Sequence, residues 1–218
     1  NPADADENNI YVVTVLIDDG TADDANGATT LTITVADLND QTPVYQAADA
    51  DDAITVNENV GTGSIDAGTI TDTDTVGTYS CTLGGADAAD FACTISGSTV
   101  NVAFAADPNY ESPADADTNN VYVVTVLIDD GTADDANGAT TLTITVADVN
   151  DITPVYQAAD GDDAISVNEN VGTGSIDAGT ITDADTVGTY DCTLGGADAD
   201  DFACTISGST VNVAFAAD

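Results

Sequence analysis

The chain contains no lysine, no arginine and no histidine, and it has neither tryptophan nor methionine. Without a cation to meet a phosphate, nucleic acid and anionic membrane surfaces are excluded as partners. The same gap removes a Ser-His-Asp triad, a Schiff-base lysine and any cationic oxyanion clamp. Lys–Asn isopeptide cross-links are excluded too, and trypsin has no site to cut. No run of 18 apolar residues occurs, so no membrane span is expected. Aromatic residues make up 5% of the chain, too few for the sugar-binding cleft that a carboxylate pair would need for glycoside hydrolysis. An enzyme is not expected.

What the chain does have is acid: 40 acidic residues among 218, for a formal charge of −40. All are aspartate except Glu7, Glu58, Glu111 and Glu169. Such charge can signal disorder, but 43% of the residues are hydrophobic and they alternate as strands do. A self-repelling surface of this size implies a salty medium, bound cations, or both.

Residues 1–107 align with 112–218 without a gap, and only ten positions differ, including Ile10/Val121, Leu38/Val149 and Thr55/Ser166. A repeat of 111 residues is the length of one small domain and far longer than a solenoid unit. The division is 1–40 for the C-terminal part of one repeat, 41–151 for a complete repeat, and 152–218 for the N-terminal part of a further one. Either the segment belongs to a longer tandem array, or neighbouring copies complete its ends, since exposed sheet edges are costly.

The local signal is all β. Thr141–Val146 puts Leu142, Ile144 and Val146 on one face and threonines on the other, and Asn120–Asp129 is dense in β-branched residues. Further strands are expected at Ala53–Asn57, Ser64–Ile70, Gly77–Leu83, Phe91–Ser96 and Thr99–Phe104, with Asp, Gly and Asn clustered between them. Seven short strands in about 110 residues predict an immunoglobulin-like β-sandwich.

Most of the aspartates, such as Asp23, Asp24, Asp134 and Asp135, read as solvated loops. The stretch ADVNDITPVY, from Ala147 to Tyr156, is different, and it has a near copy at Ala36–Tyr45. It falls between the last strand of one unit and the first of the next. Asp148, Asn150 and Asp151 offer closely spaced oxygens, the donor type that hard divalent cations such as calcium require in numbers of six to eight. Pro154 then stiffens the connection.

This segment resembles the DxNDxxPxF/Y interdomain linker of cadherin repeats, of the bacterial and archaeal surface-protein type. Val56-Asn-Glu58-Asn59 and Val167-Asn-Glu169-Asn170 look like that family's VxEN segment; Asp72-Thr-Asp74 and Asp183-Ala-Asp185 look like its DxD motif. Asn109-Tyr110-Glu111 looks like its DRE motif, and Asp19-Gly20 and Asp130-Gly131 like the aspartate after the penultimate strand. The resemblance implies tandem cadherin-type sandwiches with calcium-bridged joints. One joint would take Glu58, Asn109 and Glu111 from the domain before it, Asp148, Asn150 (by its backbone carbonyl) and Asp151 from the linker, and Asp183 and Asp185 from the domain after it. The other would take Asp37, Asn39 and Asp40 with Asp72, Asp74 and Asp130, and Glu169 would serve a further joint. Two departures matter. Asn109 stands where the family has an acid, which removes one charge, and Ser112–Asn120 is an insertion. The absence of tryptophan leaves strand exchange of the animal cadherin type unsupported.

Cys81 and Cys93 recur as Cys192 and Cys204. Each pair flanks a turn-rich loop, which places the two cysteines on adjacent antiparallel strands, where a disulfide can form in an oxidising, extracytoplasmic setting. Two cysteines with eleven residues between and no histidine fit zinc poorly; buried free thiols are the remaining reading.

The expectation is a structural, calcium-stiffened extracellular array: a filament, a matrix fibre or an adhesin stalk, with calcium and further copies of the repeat as partners. Direct calcium-dependent adhesion to a protein or glycan is the alternative, and a simple cation store a third.

Overall fold

The structure is a computed structural model describing residues 8–21, 27–48, 53–161, 164–169 and 172–217. In chain order its strands are β1 (Ile10–Val15), β2 (Thr29–Thr34), β3 (Val44–Ala47), β4 (Ala53–Asn57), β5 (Ile65–Thr71), β6 (Ser80–Gly84), β7 (Phe91–Ser96), β8 (Thr99–Phe104), β9 (Val121–Asp129), β10 (Thr140–Ala147), β11 (Val155–Ala158), β12 (Ile176–Thr182), β13 (Phe202–Ser207) and β14 (Thr210–Phe215). The only helical pieces among the described residues are two single 3₁₀ turns, Ala88–Asp90 and Ala199–Asp201.

Strands β3 to β10 form a two-sheet sandwich, with sheet orders β4-β10-β9-β6 and β3-β5-β8-β7. Strand β4 runs parallel to β10, Ala53 opposite Thr143 and Asn57 opposite Ala147, while the remaining pairs are antiparallel. The period-two alternation explains the core. Tyr122, Val124, Val126 and Ile128 of β9 and Leu142, Ile144 and Val146 of β10 point inward and are fully buried. They meet Tyr45, Ile70, Val100, Val102 and Phe104 from the opposite sheet. Phe91, Phe104 and Tyr122 close one end, with ring centroids 4.5–5.5 Å apart. Burying each large aliphatic is worth about 1.5–3 kcal/mol, so the six inward aliphatics of β9 and β10 make a substantial contribution to the sandwich's stability.

On either side stand incomplete layers. Strands β1 and β2 form an isolated hairpin, and β11-β12-β14-β13 form a single four-stranded sheet. Strand β12 carries the same bulge as β5, at Asp177/Gly179 and Asp66/Gly68. Gly68 has φ +146°, and a Cβ there would collide with the Gln46 carbonyl oxygen. Only glycine permits that approach.

Strand β3 is not foreseeable from the sequence: its four residues, Val-Tyr-Gln-Ala, are too few to show a period. Two expectations need correction. Cys81 bonds Cys93 and Cys192 bonds Cys204, but Cys81 lies on β6 and Cys93 on β7, which belong to opposite sheets. The bond therefore ties the two layers together rather than two paired neighbours, because the intervening loop crosses from one sheet to the other. Asp135 is also no solvated loop residue. It is buried, and its carboxylate accepts the N–H groups of Tyr45 (3.0 Å) and Asn137 (2.9 Å), pinning the loop after β9 to β3. Asp134 is exposed as expected; Asp23 and Asp24 lie outside the described residues.

Candidate metal centre at the joint

The joint is built where β4, the loop after β8 and the end of β10 converge. The N–H of Glu58 donates to Ala147 O at 3.0 Å, extending the parallel pairing by one step, so its side chain turns under the linker. Glu58 is buried. One carboxylate oxygen accepts the Tyr110 N–H and the other the Val149 N–H, both at 2.8 Å. It thus stitches the Asn109–Glu111 loop to the linker.

Glu111 has no such satisfaction: both its carboxylate oxygens are buried without a hydrogen-bond donor, as are one oxygen each of Asp148 and Asp185. Carboxylate oxygens of Glu111, Asp148 and Asp185 lie within 4.8 Å of one another, and so do those of Glu58, Glu111 and Asp151. Two negative charges at that distance repel by ~3 kcal/mol at an effective dielectric of about 20. Burial, and then Glu58, Asp148 and Asp151, raise the pKa of Glu111 above the ordinary glutamate value.

The far wall is held by backbone amides. Asp185 is buried and its second oxygen accepts the Ile152 N–H at 2.9 Å. Asp183 accepts the Asp185 N–H at 3.2 Å. The second oxygen of Asp148 accepts both the N–H and the hydroxyl of Thr186. Asn59 donates its amide to Asp151 at 2.5 Å. Asn59 and Thr186 were missed as site residues; the recurring Thr after each DxD motif, Thr75 and Thr186, was the available signal.

The Asn109 Oδ1 accepts the Ser112 N–H at 2.7 Å and caps the local turn. Asn150 packs its amide against Gly188, which has φ +112° and where a Cβ would lie 2.9 Å from Nδ2. The linker and the following loop thus fit only with glycine there. Glu169 is exposed and joins no carboxylate group among the described residues.

At the other joint, Asp37 accepts the N–H and the hydroxyl of Thr75, both at 2.6 Å, and these bonds hold its pKa below the ordinary aspartate value. Asp74 accepts the N–H groups of Asp40 (2.7 Å) and Gln41 (2.6 Å), and Asp72 accepts the Tyr79 hydroxyl at 3.3 Å. Asn39 donates its amide to the Asp130 carbonyl at 3.0 Å. One carboxylate oxygen of Asp130 takes three donors from Thr132 and Ala133 at 2.8–2.9 Å; the other, with Asn39 Oδ1, is buried without a donor. Among the described residues no three carboxylates converge there.

The donor set suits a hard cation. It consists of carboxylate oxygens, several of them buried and lacking donors, in a chain that has no cationic side chain to neutralise them.

No protein-family profile and no curated protein match the chain. Solved structures do. Human CDH23 EC21-23 matches at 21% identity and TM-score 0.59, over 96% of this chain and 65% of that one. Protocadherin Gamma B7 extracellular cadherin domains 1-4 match at 21% and 0.53, over 98% and 50%; Mouse Cadherin-23 EC22-24 matches at 22% and 0.52, over 94% and 63%. The chain thus spans between half and two thirds of these structures. The fold is that of cadherin extracellular domains. No helix among the described residues is long and apolar enough to cross a membrane.

Proposed function

We propose that the chain is a calcium-stiffened extracellular repeat array with a structural role, as a filament, a matrix fibre or the stalk of an adhesin. The units are 1–40, 41–151 and 152–218. The observation that carries this reading is the triad Glu111, Asp148 and Asp185: three carboxylates from the sandwich, the linker and the segment beyond, within 4.8 Å of one another, with four of their oxygens buried and unpaired.

Calcium supplies there the positive charge that the chain lacks. Glu58, Glu111, Asp148, Asp151 and Asp185 would hold it. Glu58 orients the Glu111 loop, Thr186 fixes Asp148, and Ile152 fixes Asp185, so the oxygens are presented at little entropic cost. Because the donors belong to both sides of the joint, the full set exists only when the sides are aligned, and binding favours the aligned state. Without a cation, repulsion within the triad opens the hinge. A site occupied at a hundred times its Kd biases the joint by ~2.7 kcal/mol.

Small-angle scattering during a calcium titration tests this. The expected result is a longer, stiffer particle on saturation, reversed by chelation and weakened in Glu111→Gln. A particle whose length and flexibility ignore calcium removes the proposal.

A further inference from the structure

We infer that Asn120, which ends the Ser112–Asn120 insertion, is a positioning residue for the joint: its side-chain amide holds the peptide plane that precedes Glu111 and so sets the Glu111 carboxylate beside those of Asp148 and Asp185. The inference deepens the metal reading of Glu111 and rests on it.

The insertion is tied to the sandwich. Asp87, buried in the loop after β6, accepts the N–H groups of Ala116 (2.8 Å) and Val123 (2.6 Å). The Tyr122 hydroxyl accepts the Ala114 N–H at 3.2 Å. Asp115, also buried, accepts the N–H groups of Asn119 (2.8 Å) and Asn120 (3.2 Å). The carbonyl of Asn120 in turn accepts the Val146 N–H at 2.9 Å, which fixes the end of the insertion at the base of the linker.

The backbone alone does not call for this side chain. Asn120 has φ +64°. At the same repeat position Asn9 has φ +61°, and its carbonyl accepts the Val35 N–H at 2.9 Å. Glycine adopts such a conformation at least as readily. What asparagine adds is a donor. The Asn120 Nδ2 donates to the Tyr110 carbonyl oxygen at 2.9 Å, whereas its Oδ1 is buried without a donor. Turning the amide over would set Oδ1 against the Tyr110 oxygen, so the donated bond decides the orientation.

The Tyr110 N–H donates to Glu58 at 2.8 Å, and the Tyr110 carbonyl shares one planar peptide unit with the Glu111 nitrogen. The residue before Glu111 is therefore gripped at both ends, in a segment between β8 and β9 that lies outside any strand. The grip matters because neither Glu111 oxygen has a donor, and the charges of Glu58, Asp148 and Asp151 push on it. Repulsion favours swinging Glu111 out of the joint. Asn120 holds its backbone against that push and keeps the carboxylate where a cation would need it. Loss of a group that orients a metal ligand typically weakens metal binding by about 10- to 100-fold.

Calcium titration by isothermal calorimetry tests this on the 218-residue chain, comparing wild type, N120G, N120D, E111A and the double variant N120G/E111A. N120G keeps the positive φ and deletes the donor. N120D keeps the side chain's shape and its tolerance of positive φ and puts an oxygen in the donor's place, so it serves where N120G is unstable. Affinity should fall about tenfold in each, while the metal-free β3–β10 sandwich still melts cooperatively. In the E111A background N120G should cause no further loss, because the group it positions is gone. Wild-type affinity in N120G and N120D would overturn the positioning role and leave the metal reading standing. So would losses that add in the double variant, since Asn120 would then act independently of Glu111. A wild type that takes up no calcium would remove the metal reading and the positioning role together.

Discussion

Glu111 and Asp185 present carboxylate oxygens within 4.8 Å of each other across the joint, together with Asp148. Glu111 sits in the loop after β8, and Asp185 beyond the linker, held by the Ile152 N–H. Neither Glu111 oxygen has a donor. Glu111→Gln should therefore act with opposite signs in the two states. Metal-free protein should melt higher, because a buried, repelled charge is gone. Calcium affinity should fall about tenfold, or roughly 1.4 kcal/mol. Calorimetric melting with and without calcium, and a calcium titration, measure both. Equal affinity in the two proteins would remove Glu111 from the ligand set.

The pH dependence follows from the same residue. Its folded pKa is raised above the ordinary value of 4.5 by burial and by its acidic neighbours. The folded state therefore binds the proton more tightly than the unfolded chain. The associated stability is full below the ordinary glutamate value and is lost as pH rises through the raised one. Metal-free protein should gain melting temperature as pH falls from neutral toward that window. With saturating calcium the slope should reverse, since protonation competes with the cation. Parallel curves in the two conditions would contradict the assignment.

Glu58 calls for a different expectation from Glu111. Both its oxygens are filled by backbone N–H groups, so Glu58→Ala leaves two part-buried donors without their acceptor, at roughly 1 kcal/mol each. Melting should drop even without calcium, whereas Glu111→Gln should not lower it. Thermal melts of the two metal-free variants separate the backbone-holding part that Glu58 plays in addition to its place in the carboxylate group from the unpaired charge of Glu111.

The Cys81–Cys93 bond joins opposite sheets across a sequence separation of 12. Reduction should cost on the order of 3 kcal/mol and lower the melting temperature of the β3–β10 sandwich. Calcium-dependent stiffening should persist, because the bond lies in the sandwich core and not in the linker.

Leu142→Ala and Leu31→Ala delete the same side chain at equivalent repeat positions. Leu142 is fully buried, so its loss should cost about 2–5 kcal/mol. Leu31 is exposed, so Leu31→Ala should leave the melting of the β3–β10 sandwich unchanged. Denaturant unfolding of both variants provides the comparison.

Much of this molecule was legible in the order of its residues. Alternation located β9, β10 and five further strands to within a few residues, since each has one face in the core and one in water. The linker segment pointed to Asp148 and Asp151 and the DxD segment to Asp185, and the fold brings carboxylates of all three close to Glu111. Other features were not legible. Strand β3 is too short to show a period. Asp135 looks like any other loop aspartate until Tyr45 N–H is seen to need an acceptor. That the Asn109 oxygen caps a turn at Ser112 is likewise visible only in the fold.

Composition and repetition alone establish an acid-rich chain without basic side chains and with the two-residue alternation of strands, since those conclusions need only residue types and their periods. Which acids are satisfied by amides and which stay unpaired depends on where the backbone brings its N–H groups, and so does the sheet to which each cysteine belongs. Residues 53–57 form a strand while their near copies at 164–168 do not. Strand formation requires a hydrogen-bonding neighbour, and that neighbour is a property of the assembled fold.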